Sequence, residues 1–190
     1  MHTPARTNSR AQADQKSMAL TSDCSQCTAL CCITMGFFAE QGFGFNKPAN
    51  TPCPHLSTDF KCTIHAERAA AGFGGCIMYD CHGAGQRVTR AFHLKLALSR
   101  PQRETNKVVE LFRRVQTMHE MMALLHTAIS HLRDEKLVND FTATFTHVDA
   151  QCASLLDGGD IDEVAIHQRV SEMLASLKEQ TEVLISLRGG

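Results

Sequence analysis

Hydrophobic residues recur at alternating steps of three and four positions through the second half of the chain. That spacing places them on one face of an α-helix, and the longest series runs for more than three heptads. It consists of Val108, Leu111, Val115, Met118, Met122, Leu125, Ile129 and Leu132. Two shorter series are Leu137, Phe141, Phe145, Val148, Cys152 and Leu155, and then Val170, Leu174, Leu177 and Leu184. The pattern predicts four helices, over residues 88–99, 100–132, 135–156 and 160–188.

Residues at the predicted helix ends agree with these limits. Ser99 shortly before Pro101 is typical of an N-cap with a proline in the first turn. Gly158 and Gly159 are typical of a helix end, and Asp160 is typical of the N-cap of the next helix. Each helix would bury one apolar stripe, which is compatible with an antiparallel bundle and with a dimerising coiled coil.

Residues 21–87 differ from this pattern because they have no sustained hydrophobic period and are rich in glycine and proline. Such a segment is dominated by turns and needs cross-links to hold a small core together. Short helical turns are expected at residues 28–33 and 63–71. We predict a mainly α fold with a disordered tail over residues 1–20, a loop-rich cysteine domain over 21–87 and a helical domain over 88–190. The aromatic residues expected to pack around the cross-linked centre are Phe37, Phe38, Phe43, Phe45, Phe60 and Phe73.

Eight of the nine cysteines lie within the loop-rich domain, and they must be either oxidised to disulfides or bound to metal. The N-terminus has no apolar run typical of a signal peptide, and no window is long and apolar enough to span a membrane. The sequence therefore predicts a cytoplasmic protein, whose thiols are kept reduced. Reduced thiols at this density favour metal over disulfides. The predicted ligands are Cys24, Cys27, Cys31, Cys32, Cys53, Cys62, Cys76 and Cys81, with His65 as a further candidate.

The spacing of the first cysteines indicates the kind of metal. In Cys24-x2-Cys27 the intervening turn points two sulfurs inward and offers backbone N–H groups to them. An ordinary zinc ribbon has a second C-x2-C pair, which this chain lacks. A third close cysteine and a remote fourth are typical of iron–sulfur sites, so the expected cofactor is a [4Fe–4S] cluster or Zn²⁺. Adjacent Cys31 and Cys32 cannot easily face one metal together, so one of them serves a second site or packs as a small hydrophobe.

Four segments carry a resemblance to a known family. They are the Cys24–Cys32 cluster, PCPHL over residues 52–56, KCTIHAER over residues 61–68, and the pair Gly75-Cys76. Together they resemble the CxxCxxCC family of zinc- or iron-chelating bacterial proteins. The resemblance implies metal binding by a bacterial protein. The same region, from Cys24 to Arg90, is also similar to the cysteine-rich region that precedes pentapeptide repeats in some bacterial proteins.

The chain departs from both patterns. Three residues, not two, separate Cys27 from Cys31, and His65 stands where the chelating family usually has tyrosine. Helices rather than pentapeptide repeats follow the cysteines. A flagellin lysine methylase is among the relatives for which iron–sulfur binding has been proposed, but the resemblance does not extend to its activity. Only metal binding is carried over.

Charge and the remaining motifs narrow the function classes. The net charge of −1 provides no basic surface for nucleic acid or for an anionic membrane. His119-Glu120 is not part of an H-E-x-x-H site, because the next histidine, His126, is seven positions after His119. No nucleophile–base arrangement is evident, which favours a binding protein over an enzyme.

The sequence predicts a metal-binding protein with a redox or sensing role. The alternative is an interaction module, in which a zinc-stapled domain supports helices that dimerise or bind a helical partner.

Overall fold

The computed structural model describes residues 20–92 and 102–188, and for 102–105 and 178–188 it describes the helix only. The described residues form two compact units, 20–119 and 120–188. The helices are α1 Leu30–Thr34, α2 Gly74–Met78, α3 Ala84–Phe92, α4 Gln102–His131, α5 Glu135–Leu156 and α6 Glu163–Arg188. The mainly α fold predicted from the sequence is confirmed. The predicted domain limits, at residues 1–20, 21–87 and 88–190, stay predictions.

The first unit is rich in loops, as its glycine and proline content predicts. Its regular elements, besides α1 to α3 and the start of α4, are short 3₁₀ turns at Cys24–Gln26, Ala39–Gln41 and His65–Glu67. Two isolated antiparallel bridges, Phe37 with Lys47 and Leu56 with Cys62, tie the loops together. Among the residues described, no longer strand forms.

A small aromatic cluster forms the centre of these loops. Phe37 and Phe73 are buried beside Cys53, and Phe43 and Phe45 pack against them. The rings of Phe37 and Phe43 stack with centroids 4.4 Å apart, and Phe45 meets Phe73 edge-on at 5.4 Å. The predicted packing of aromatic residues around a cysteine centre is therefore confirmed for these four rings. It is wrong for Phe38, which is 53% exposed.

The long helices follow the predicted limits closely. Helix α4 begins at Gln102, and α5 covers the predicted residues 135–156. Helix α6 begins three positions later than predicted, because Asp162 rather than Asp160 is the cap: its carboxylate accepts the Ala165 N–H at 2.9 Å. Helix α3 begins at Ala84, four residues before the predicted start, and the predicted restart at residues 99–101 lies outside the described residues.

The second unit buries part of each apolar face that the sequence predicts. The predicted α5 residues that are buried are Phe141, Phe145, Val148, Cys152 and Leu155, whereas Leu137 is half-buried and its neighbour Val138 is buried instead. On α6 Val170 is buried, Leu174 and Leu177 are half-buried, and the side chain of Leu184 lies outside those described. Thr144 Oγ1 contacts Met173 Sδ at 3.0 Å across α5 and α6. These two residues lie at similar distances from the turn at Gly158, whose φ of +84° is left-handed, so α5 and α6 form an antiparallel hairpin. No described helix has the length and apolar character required to cross a membrane.

Candidate metal centre

All eight cysteines from the loop-rich segment line one cavity of about 340 Å³ in the first unit. His65, the remaining candidate ligand, lines it too, and the cavity wall also includes the buried aromatic rings Phe37 and Phe73. All nine cysteines of the chain are free thiols. Among the described residues, no three His, Cys, Asp or Glu side chains already stand close enough together to hold one metal ion. The fold thus gathers the predicted ligands around a common space, and their role as ligands stays a prediction.

A lysine holds the loop that carries the first two cysteines. The 3₁₀ turn starts after Asp23, whose carboxylate accepts the Ser25 N–H at 2.9 Å. Lys61 Nζ then donates to three carbonyl oxygens of this loop, those of Ser25 at 2.8 Å, Cys27 at 2.9 Å and Cys24 at 3.4 Å. One ammonium group therefore fixes the backbone on both sides of the C-x2-C spacing. The sequence did not indicate this role, because the lysine is 34 positions away from Cys27.

Helix α3 anchors the same loop from the other side. Gln86 is only 5% exposed; its side chain accepts the Asp23 N–H at 2.7 Å and donates to the Thr21 carbonyl at 2.9 Å. Thr89, one turn further along α3, accepts the Thr28 N–H at 3.1 Å. These bonds satisfy backbone groups that would otherwise be buried without partners. Sequence reasoning missed both residues of α3, since nothing local marks a polar side chain as a clamp for a distant loop.

Close packing between α3 and the thiols requires glycine at position 85. A Cβ atom there would lie 2.7 Å from Cys27 Sγ and 3.7 Å from Cys81 Sγ. Two cysteines far apart in the sequence thus approach the same point of the helix. A side chain at this position would have to displace a buried sulfur.

We expect Gly85→Ala to destabilise the protein by about 1–3 kcal/mol, the usual cost of overpacking a tight site. The matched control is Gly74→Ala in α2, where the nearest atom to the added carbon is 3.9 Å away. Alanine is favoured over glycine inside helices, so the control should be neutral or slightly stabilising. Urea unfolding of the two variants measures the difference. Equal midpoints for the two variants would contradict the close packing at Gly85.

The next two cysteines lie side by side on helix α1. The helix starts after Ala29, which holds the left-handed φ of 51° that L side chains rarely adopt. The Cys32 carbonyl accepts the Cys53 N–H at 2.9 Å and so joins the first cysteine cluster to the second segment. The Cys31 and Cys32 thiols are in hydrogen-bonding contact, and this contact, followed by burial, raises the pKa of Cys31 well above its ordinary value.

Cations and the aromatic cluster lie around the remaining cysteines. Lys47 is only 4% exposed; its ammonium lies 5.1 Å from the centre of the Phe37 ring and donates to the Thr51 carbonyl at 2.7 Å. Arg68 donates to the carbonyls of His65 at 2.8 Å and Cys76 at 3.1 Å. Burial lowers the pKa of the Lys47 ammonium, and neighbouring cysteine thiolates, first that of Cys53, oppose this shift. Positive groups thus lie beside the cavity, where they would offset thiolate charge.

A buried histidine supports the last cysteine. His119 is fully buried, and its Nδ1 lies 2.5 Å from the carbonyl of His82, the residue after Cys81. Its Nε2 lies 3.4 Å from the Arg87 guanidinium, which can only donate, so Nδ1 carries the hydrogen. His82 itself has a left-handed φ of 48°. The sequence excluded an H-E-x-x-H site at position 119, and no local signal shows that this histidine is buried.

Burial favours the neutral forms of Cys27 and Cys76. Together with the negative charge of a neighbouring Cys31 thiolate, it raises the pKa of each to about 11. Backbone N–H groups oppose the shift in two places, that of Leu30 at the Cys27 sulfur and that of His55 at the Cys53 sulfur. A cation in the cavity would favour the thiolate forms in the same way.

The raised pKa values predict how the stability of the metal-free protein depends on pH. The pKa of Cys27 in the folded state, about 11, exceeds the ordinary value of 9.0, so its neutral form stabilises the fold at every pH below about 9. This stabilisation is lost as pH rises from about 9 to about 11, by roughly 1.4 kcal/mol per pH unit. Urea unfolding of the metal-free protein at about pH 8 and about pH 10.5 measures the loss, and Cys27→Ala should reduce it. A free energy of unfolding that stays constant or rises over this window would contradict the prediction.

Comparisons with known proteins find a similar bacterial protein. This chain is 31% identical over 130 residues to the uncharacterized protein YybG of Bacillus subtilis (strain 168). The match covers 68% of this chain and 47% of the relative, so the chain spans about half the length of the curated protein it matches. No family model matches the chain, and neither does any solved structure. The resemblance to the CxxCxxCC family therefore stays a prediction.

Proposed function

We propose that this protein binds a metal centre, an iron–sulfur cluster in preference to zinc, through the thiolates that line its cysteine cavity. The observation that carries the proposal is the convergence of eight free cysteines, distant in sequence, on the wall of one cavity. A set of buried thiols without disulfides is the donor set that iron–sulfur clusters and zinc use in proteins. The proposed location is the cytoplasm, where such thiols remain reduced.

The number of thiols fits two sites of either kind, because a tetrahedral zinc ion and a [4Fe–4S] cluster each take four ligands and eight thiols surround a cavity of about 340 Å³. The hydrogen bonds to the thiols favour a cluster. Backbone N–H groups point at the sulfurs of Cys27 and Cys53, and hydrogen bonds of this kind tune the reduction potential of iron–sulfur clusters. When bound, a cluster would supply one-electron redox chemistry. The protein's own residues would orient the thiolates, through Lys61 and Gln86, and balance their charge, through Lys47.

The test is anaerobic purification followed by loading with ferrous iron and sulfide, or with zinc alone. Iron, acid-labile sulfide and zinc are then measured per chain, together with the visible absorption spectrum. We expect iron and sulfide in equal amounts with a broad visible absorption band. Cys152→Ser is the matched control, because Cys152 is buried in the second unit, and it should bind as much metal as the wild type. If the protein binds stoichiometric zinc and no iron, the proposed cluster is wrong and the cavity is a structural zinc site. A folded protein that takes up neither metal would overturn the proposal.

A redox or sensing role is proposed with the cluster. If the metal is zinc, the alternative interaction module gains support, because the metal would then only hold the loops in place. The visible spectrum of the cluster would change when dithionite reduces it, and an added oxidant such as ferricyanide would accept the electron and reverse the change. Zinc does not change its oxidation state in proteins and would show none.

A further inference from the structure

We propose that the eight cysteines form two separate four-thiolate sites within the cavity. This inference rests on the proposed metal binding and deepens it by assigning the ligands. The first site consists of Cys24, Cys27, Cys31 and Cys81. The second site consists of Cys32, Cys53, Cys62 and Cys76.

The first site lies against helix α3. Gly85 is the common point of approach for the sulfurs of Cys27 and Cys81, which a Cβ atom there would meet at 2.7 Å and 3.7 Å. Ser22 Oγ lies 3.2 Å from Cys81 Sγ, so the segment just before Cys24 also reaches this end of the cavity. The Cys27 N–H closes the turn onto the Cys24 carbonyl at 3.4 Å. These contacts bring the Cys27 and Cys81 sulfurs to the same point of α3 and fix the backbone of Cys24 beside Cys27.

The second site lies around the aromatic cluster. Cys53 is part of the buried cluster with Phe37 and Phe73, and Cys32 and Cys76 pack against it. None of the first-site cysteines belongs to this cluster among the residues described.

Backbone hydrogen bonds join the members of the second site. The Cys53 N–H donates to the Cys32 carbonyl at 2.9 Å. Cys62 forms an antiparallel bridge with Leu56, which also packs against the aromatic cluster. Three distant segments of the chain, around residues 32, 53–62 and 76, therefore contribute to this site.

The adjacent pair on α1 lies where the two sites meet, and the Cys31 and Cys32 thiols are in hydrogen-bonding contact. Successive residues of an α-helix point about 100° apart, so the two side chains leave the helix in different directions. Cys32 belongs to the aromatic cluster and Cys31 does not. Cys31 follows Cys24 and Cys27 at the spacing of a three-thiol run, and the first site lacks a fourth ligand without it. One short helix thus supplies a thiol to each site. In this assignment the adjacent cysteines Cys31 and Cys32 are both ligands, but of different sites.

The test compares metal content in serine variants of the two sites, with Cys81→Ser for the first and Cys62→Ser for the second. Both cysteines are partly exposed, so their replacement leaves the buried thiols in place. The loaded wild type should hold about eight iron ions, for two four-iron clusters, or about two zinc ions. Each single variant should lose half of the metal, and the double variant should lose nearly all of it.

The controls separate this inference from the proposed function. Cys152→Ser should keep the wild-type content, and far-UV circular dichroism should show the same helix content in every variant. Reduced wild-type protein should show the broadened electron paramagnetic resonance of two coupled clusters, and each single variant should show the signal of one. A wild type that holds metal for only one site would overturn the two-site assignment, as would a single variant that loses all of it. A wild type that binds no metal would instead overturn the proposed function itself.

Discussion

Removing the metal from the loaded protein should destabilise the first unit and leave the stability of the α5–α6 hairpin unchanged. The loops of residues 20–92 have only a small aromatic cluster at their centre, so cross-linking by metal would add substantially to their stability. A ligand that is present at 1,000 times its dissociation constant stabilises the folded state by about 4 kcal/mol. A metal bound by thiolates contributes to the folding free energy in the same way.

Hydrogen exchange followed by mass spectrometry measures this effect, with the loaded protein compared before and after treatment with a chelator. Amides around Cys53 and Cys76 should lose protection by a factor of about 10³, the equivalent of 4 kcal/mol. Amides of α5 serve as an internal control, since that helix includes no candidate ligand and its cysteine, Cys152, lies outside the cavity. Unchanged protection around the cysteines would show that the loops are stable without metal. Equal loss in α5 would show that the effect is not local.

Replacing Leu125 by alanine should destabilise the second unit by about 2–5 kcal/mol, the range for a leucine truncated in a packed core. This side chain is fully buried on α4. Its neighbour Leu124 is the same residue type on the same helix and is 55% exposed. Truncation there removes little buried surface, so Leu124→Ala should change the free energy of unfolding by no more than about 0.5 kcal/mol.

Urea unfolding monitored by circular dichroism compares the two variants under identical conditions. Their helix propensity is matched, because each exchanges leucine for alanine in the middle of the same helix. The difference between them therefore reports burial alone. If Leu124→Ala costs as much as Leu125→Ala, the exposed leucine is covered by something in solution, such as a second copy of the chain. If both are neutral, the face assigned to the core of α4 is wrong.

The helices were predictable because the signals that specify them are local. Asp134 precedes α5, accepts the Leu137 N–H at 3.0 Å and caps the helix at the predicted position. Gly158 adopts the left-handed conformation that ends it. The start of α3 was less accessible to prediction, because Gly83 and Gly85 indicate a turn. Gly85 is helical because its missing side chain makes room for the Cys27 sulfur, a contact across more than fifty residues.

By itself, the sequence determined the helical fold of the second unit, the lack of a periodic core around the cysteines and the types of ligand available. Each of these depends on neighbouring residues or on composition. Only the tertiary structure decided that all eight thiols share one cavity, that Lys61 and Gln86 hold the first loop and that His119 is buried beneath the last cysteine. Those facts depend on contacts between segments that are distant in sequence. Chain periodicity carries no information about which loop closes onto which helix.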